Sequence, residues 1–131
     1  MRYMLTIYGD ESAWASAASA EETQEVLAAY GAFGEEAGDR IIAGDGLQPT
    51  ATATTVRVRD GESFLTDGPF AETKEQLGGF YLLDCADLDE ALGLAAKIPG
   101  AATGCVEVRP VMDYDAAGSA DRQAARQGAA S

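Results

Sequence analysis

Asp60-Gly61 separates two alternating runs, with Thr54, Val56 and Val58 opposed to Thr55, Arg57 and Arg59 before it and Glu62-Ser63-Phe64-Leu65 after it. A two-residue Asp-Gly link between alternating strands is the strongest local constraint in this chain. Both turn positions take positive φ, and the backbone must return antiparallel to itself. Residues 52–66 are therefore predicted to be a β-hairpin, and the fold must carry it in mid-chain.

The elements on either side follow from periodicity. Residues 2–8 alternate, with Tyr3, Leu5 and Ile7 on one face and Met4, Thr6 and Tyr8 on the other. Residues 13–20 are rich in Ala and Ser and read as a loop or a loose helical turn. Ser19 stands three residues before Glu22, a capping box opening a helix with Val26, Leu27, Tyr30, Phe33 and Ala37 on one stripe and Gly38 as its stop. A strand starts at Ile41-Ile42-Ala43. Residues 79–84 are apolar on both faces, as a central strand requires. Asp87 caps a second helix ended by Pro99-Gly100, and residues 104–111 form the last strand, with Val106 and Val108 opposed to Glu107 and Arg109.

Strand, helix, strand, hairpin, strand, helix, strand predicts an α+β fold. It is a ferredoxin-like βαβ(ββ)βαβ sheet with right-handed crossovers, both helices on one face and the hairpin inserted or extending an edge. The other face carries Met4, Tyr8 and one side of 79–84, too apolar for water. A second copy packed sheet to sheet would cover it, giving a homodimer with a barrel-like core. Thr6, Glu107 and Arg109 share that face, and a mixed face at a subunit interface is where a ligand pocket is expected.

With 131 residues the chain is long enough for one domain, placed at 1–111, with 112–131 expected as a disordered Ala/Gly/Arg/Gln tail. The formal net charge of −13 and the scattered basic residues argue against nucleic acid and anionic membranes as partners. No apolar run reaches spanning length and no signal peptide is visible, so a cytoplasmic location is expected. Cys85 and Cys105 sit in apolar runs and read as small buried thiols. There is no histidine, which removes His-based acid/base chemistry, His metal sites and Ser-His or Cys-His pairs.

Several segments together resemble one family: Tyr8-Gly9-Asp10-Glu11, Gly46-Leu47-Gln48-Pro49, Thr52-Ala53-Thr54-Thr55-Val56-Arg57, Asp67-Gly68-Pro69-Phe70-Ala71-Glu72-Thr73-Lys74-Glu75, Gly78-Gly79-Phe80-Tyr81 and Val106-Glu107-Val108-Arg109-Pro110. They are similar to the DGPF-type proteins of the YCII-related family over about residues 1–111. The resemblance implies a dimeric α/β-barrel of the ferredoxin-like kind. It also implies an association with sigma factors of the extracytoplasmic-function type, hence a regulatory role. The enzymatic role suspected for relatives from a His–Asp pair does not transfer to a chain without histidine.

Residues 66–81 hold the densest set of reactive groups. Asp67, Glu72 and Lys74, with Glu75 beside them, form either an acid/base constellation or a solvated, ion-paired loop. Tyr8, Arg57, Tyr81 and Arg109 are the candidate ligand-binding residues. A guanidinium matches a carboxylate, and a phenol lends a hydroxyl to a pocket, although strand arginines also pair with neighbouring acids and tyrosines also pack in cores. Gly68, Gly78 and Gly79 lack the spacing of a phosphate loop, and Gly78-Gly79 reads as a bulge or a close backbone approach. No metal and no cofactor are expected. Two functions remain open: a small-molecule cleft for an anionic ligand near 67–76, or a non-enzymatic accessory protein docking on a sigma factor.

Overall fold

The computed structural model describes residues 1–16 and 19–114. The expected tail therefore lies, from residue 115 on, outside the described residues. β1 is Arg2–Gly9, with Tyr3, Leu5 and Ile7 buried and the residues between them half-buried. A short helix α1, Glu11–Ser16, occupies much of the Ala/Ser-rich stretch. α2 is Ala20–Ala37, capped by Ser19, whose hydroxyl oxygen accepts the Glu22 amide at 3.1 Å. Gly38, at φ +54°, ends it and leads through a single 3-10 turn to β2, Ile41–Gly46.

The hairpin is β3, Thr54–Arg59, and β4, Glu62–Asp67. Asp60 and Gly61 both have positive φ, 51° and 77°, as a two-residue hairpin turn demands. β5 is Gln76–Asp84, three residues longer at its start than the apolar run suggested. α3, Leu88–Ala95, is capped by Asp87, whose Oδ1 accepts the Glu90 amide at 2.9 Å. α3 ends at Ala95, ahead of the Pro99-Gly100 stop expected from the sequence, and a separate short α4, Gly100–Thr103, precedes β6, Cys105–Pro110.

Four strands form one antiparallel sheet in the order β2-β5-β1-β6, and β3-β4 form a separate two-stranded sheet. The two strand–helix–strand units interleave, each leaving a gap that a strand of the other fills. That is the ferredoxin-like topology. The core is one cluster: Tyr3, Leu5, Ile7 and Leu83 from the sheet meet Phe33 and Ala37 of α2 and Ala91, Leu94 and Ala95 of α3. Both long helices therefore lie on one face. Arg40 bridges the two halves, its Nε donating to Glu90 Oε1 at 3.0 Å.

The opposite face pairs Met4 with Leu82 and Arg109, and Thr6 with Phe80 and Glu107. Cys105 sits there too, on the edge strand opposite Tyr8, and is exposed. The expectation of two buried thiols is corrected for it: an edge strand covers a side chain from one side only. Cys85, at the other end of the sheet, is buried. The hairpin is closed at its base by Gly68 N–H to Ala53 O at 2.7 Å and the Thr55 hydroxyl to Gly68 O at 2.9 Å.

Leu5 is fully buried, whereas Leu27 on the outer half of α2 is 65% exposed. Leu5→Ala should cost about 2–5 kcal/mol of unfolding free energy in a urea titration, while Leu27→Ala should stay within about 0.5 kcal/mol. Comparable losses at the two positions would show that α2 packs along its whole length.

Candidate functional site

Only the C-terminal half of α2 reaches the sheet; its buried residues are Phe33 and Ala37. Under the N-terminal half, β2 and β5 present glycine where packing side chains would stand. The result is a half-open trough of about 490 Å³ on the helix side of the sheet. Val26, Leu27 and Tyr30 of α2 line one wall, Trp14 of α1 closes one end, and Gly44, Gly46, Gly78 and Gly79 form much of the floor with Ile7 and Tyr81. The volume suits a small organic molecule.

The glycines are required by close approach. A Cβ at Gly9 would sit 2.5 Å from the Trp14 ring, and one at Gly78 would sit 2.4 Å from it. The indole thus closely approaches bare backbone at both positions. A Cβ at Gly44 would come within 2.6 Å of the Tyr81 ring. Between Ile7 and Tyr8 the β1–β5 register shifts, and Gly78 falls in that irregularity.

α1 is a single short helix, so its placement depends on side-chain bonds rather than on propensity. Glu11 Oε1 accepts the Thr50 amide at 2.7 Å and Oε2 accepts the Thr50 hydroxyl at 2.8 Å. The Glu11 amide donates to Gln76 Oε1 at 2.9 Å. Asp10 Oδ1 accepts the Ser12 hydroxyl at 2.6 Å and the Ser12 amide at 2.9 Å, and these bonds hold its carboxyl below the usual range. Together they position Trp14.

Two phenols face the trough. Burial pushes Tyr30 above its ordinary value, against the opposing pull of the Gly100 amide. Burial also raises Tyr81, and the nearby Tyr30 oxygen adds to the rise. Asp45 alone among the lining residues carries a formal charge, and no Lys or Arg is among them.

Of the seven residues singled out from the sequence, Tyr81 lines the trough. Asp67 is the last residue of β4, exposed and opposite Thr54. Glu72 and Lys74 are exposed in the connection to β5. Arg57 is exposed on the hairpin. Tyr8 is half-buried on the other sheet face, and Arg109 on that face pairs with Glu107 at 2.7 Å. The structure does not bring these seven together. Trp14, Val26 and Leu27 were not anticipated as site residues. A Trp in an otherwise Ala/Ser segment, ahead of paired glycines in the partner strand, was the available signal. Among the described residues no cluster of three or more His, Cys, Asp or Glu is placed to hold a metal ion, and no helix is long and apolar enough to cross a membrane.

The model of the YCII-related domain matches residues 1–115. An uncharacterized protein of Rhizobium meliloti (strain 1021) is 47% identical over 119 residues, covering 87% of this chain and 94% of the relative. Among solved structures, the 5-chloro-2-hydroxyhydroquinone dehydrochlorinase of Burkholderia phenoliruptrix AC1100, in complex with 2,5-dihydroxybenzoquinone, aligns with a TM-score of 0.49 at 14% identity, over 86% of this chain and 94% of that one. Likeness at that level says nothing about chemistry in the present chain.

The two phenols give a pH dependence of definite sign. Their pKa values are raised in the folded state, so between the unfolded and folded values the native state holds more protons. The stability this contributes is complete below about pH 10 and is lost as pH rises through the folded values. Chemical denaturation from pH 8 to 11 should show a falling limb, shallower in Tyr30→Phe/Tyr81→Phe. An unchanged slope in the double variant would mean that neither phenol is desolvated.

Proposed function

We propose that this chain, which belongs to the YCII-related family, binds a small, uncharged, largely apolar molecule in the trough between α2 and the sheet. The observation that carries this reading is the lining itself: indole, phenol and aliphatic groups over a glycine floor, with no cation. An anion would give up its hydration there without gaining a partner charge. The trough therefore favours an uncharged occupant over the anionic ligand expected near 67–76.

Cumene should raise the thermal midpoint of the protein in a dose-dependent way, and benzoate should raise it far less. Leu27→Asp, which places a carboxylate on an exposed wall residue without touching the core, should abolish the cumene shift. A shift by benzoate alone, or a cumene shift unaffected by Leu27→Asp, would sink the reading.

The working form is proposed to be a homodimer joined through the open sheet face. Met4, Phe80 and Leu82 stand on that face half-covered, and the nearby hairpin exposes Val56, Val58, Phe64 and Leu65. A two-stranded hairpin is marginal by itself, and the hairpin's exposed apolar groups favour a partner surface. Light scattering should give about twice the 13.6 kDa of one chain, and Leu82→Arg should return the mass to that of a monomer. A monomeric wild type at micromolar concentration would refute the assembly.

A second reading has its own observation. Glu72, Lys74 and Glu75 are exposed in the isolated chain. Charges of that kind suit an accessory protein docking on a partner such as a sigma factor, and Lys74→Glu would then weaken the partner complex while leaving cumene binding unchanged.

A further inference from the structure

We infer that Tyr30 and Tyr81 form a hydrogen-bonding pole inside the trough, so that the site takes flat aromatic molecules bearing a carbonyl or similar oxygen acceptor. This rests on the trough being a ligand site and goes further, to the chemistry of what fits it. Most of the lining offers carbon: Ile7, Trp14, Val26, Leu27 and Leu47. Such a surface sets size and flatness but not orientation. Orientation needs a few polar groups at one place; besides the Trp14 indole N–H, the side-chain donors among the lining residues are the two phenol hydroxyls, neighbours in the fold.

Both rings are held by contacts that leave their hydroxyls available. The Tyr30 oxygen is 3.2 Å from where a Cβ of Gly100 would stand, and the Gly100 amide faces it. A hydroxyl has one donor and two acceptor positions. With an N–H supplied to the oxygen, the hydroxyl keeps its own proton to donate, and Tyr30 lines the trough. Tyr81 rests its ring edge over Gly44 and tilts at 53° against Phe33, with ring centroids 4.9 Å apart. Its hydroxyl has no hydrogen-bond partner among the described residues. Burial raises both phenols and the nearby Tyr30 oxygen adds to the rise at Tyr81, so near neutral pH both remain protonated and can donate. Two neighbouring donors on the lining of an apolar slot that also holds an indole match an aromatic ring bearing an oxygen acceptor.

The tests compare acetophenone with cumene, which have nearly the same shape and differ in the carbonyl. Affinities are read by ligand-observed NMR for wild type, Tyr30→Phe and Tyr81→Phe. Each substitution keeps the ring and removes only the hydroxyl. Acetophenone should bind about tenfold more weakly to each variant, while cumene affinity should stay within about twofold, which also reports that the trough is intact. The carbonyl stretch of bound acetophenone should lie lower in wild type than in the double variant, a signature that a merely structural role for the phenols would not produce. Acetophenone affinity unaffected by both substitutions would overturn the inference and leave the apolar trough standing. Failure of both probes to bind wild type would overturn the trough as a ligand site, and the inference with it.

Discussion

β1 runs through the middle of the main sheet, paired with β5 on one side and β6 on the other, and the remaining elements are placed by it. Its alternation divides the molecule. Tyr3, Leu5 and Ile7 point to the helices and define the core, while Met4, Thr6 and Tyr8 face away. A slip of one residue would exchange the two sets, bringing a threonine into the core and putting Leu5 in solvent. The register is therefore held by burial at every second position. The same division decides where a ligand could go, because the helix side closes fully only where α2 and α3 supply side chains.

The trough exists where that closure stops. Phe33 and Ala37 seat the end of α2, and one turn earlier Tyr30 reaches the sheet only with its ring. Beyond it the helix rides over Gly44, Gly46, Gly78 and Gly79. Glycine in a strand ordinarily weakens it, so a run of them next to a close aromatic contact marks a position where backbone must be approached. Here the approaching group is Trp14, and the bonds from Glu11 to Thr50 and Gln76 keep it there. Gln76 belongs to the polar stretch that stood out in the sequence. Its role in the fold is to tie β5 to α1.

How much of this was legible in the sequence depends on the range of the interaction. The hairpin turn, both helix caps and the alternation of β1 are local, and each was readable from a few residues. The pairing of β5 as a central strand was also readable, because Phe80, Tyr81, Leu82 and Leu83 leave no polar face. The trough was not. It depends on the meeting of residues 14, 26–30, 44–47 and 78–81, which no short window contains. Reactive-group density pointed to 67–76 instead, and those charges are exposed because the connection crosses the surface. Cys105 was misread for a related reason: its run is apolar, but it lies on an edge strand and on the uncovered face.

The charge of the chain bears on the same site from a distance. With 22 acidic residues against nine basic ones, the net charge of −13 disfavours the approach of a free anion. Inside, Asp45 is the charged residue on the lining, and the two phenols are protonated near neutral pH. Net charge and inner lining thus both disfavour negative charge, in keeping with the uncharged occupant proposed for the trough. The chain has no histidine, and the polar side-chain groups on the lining are the two phenols, the Trp14 indole N–H and the Asp45 carboxylate. In the proposed site the phenols serve as hydrogen-bond donors, because proton removal from a desolvated phenol is the costlier step at neutral pH.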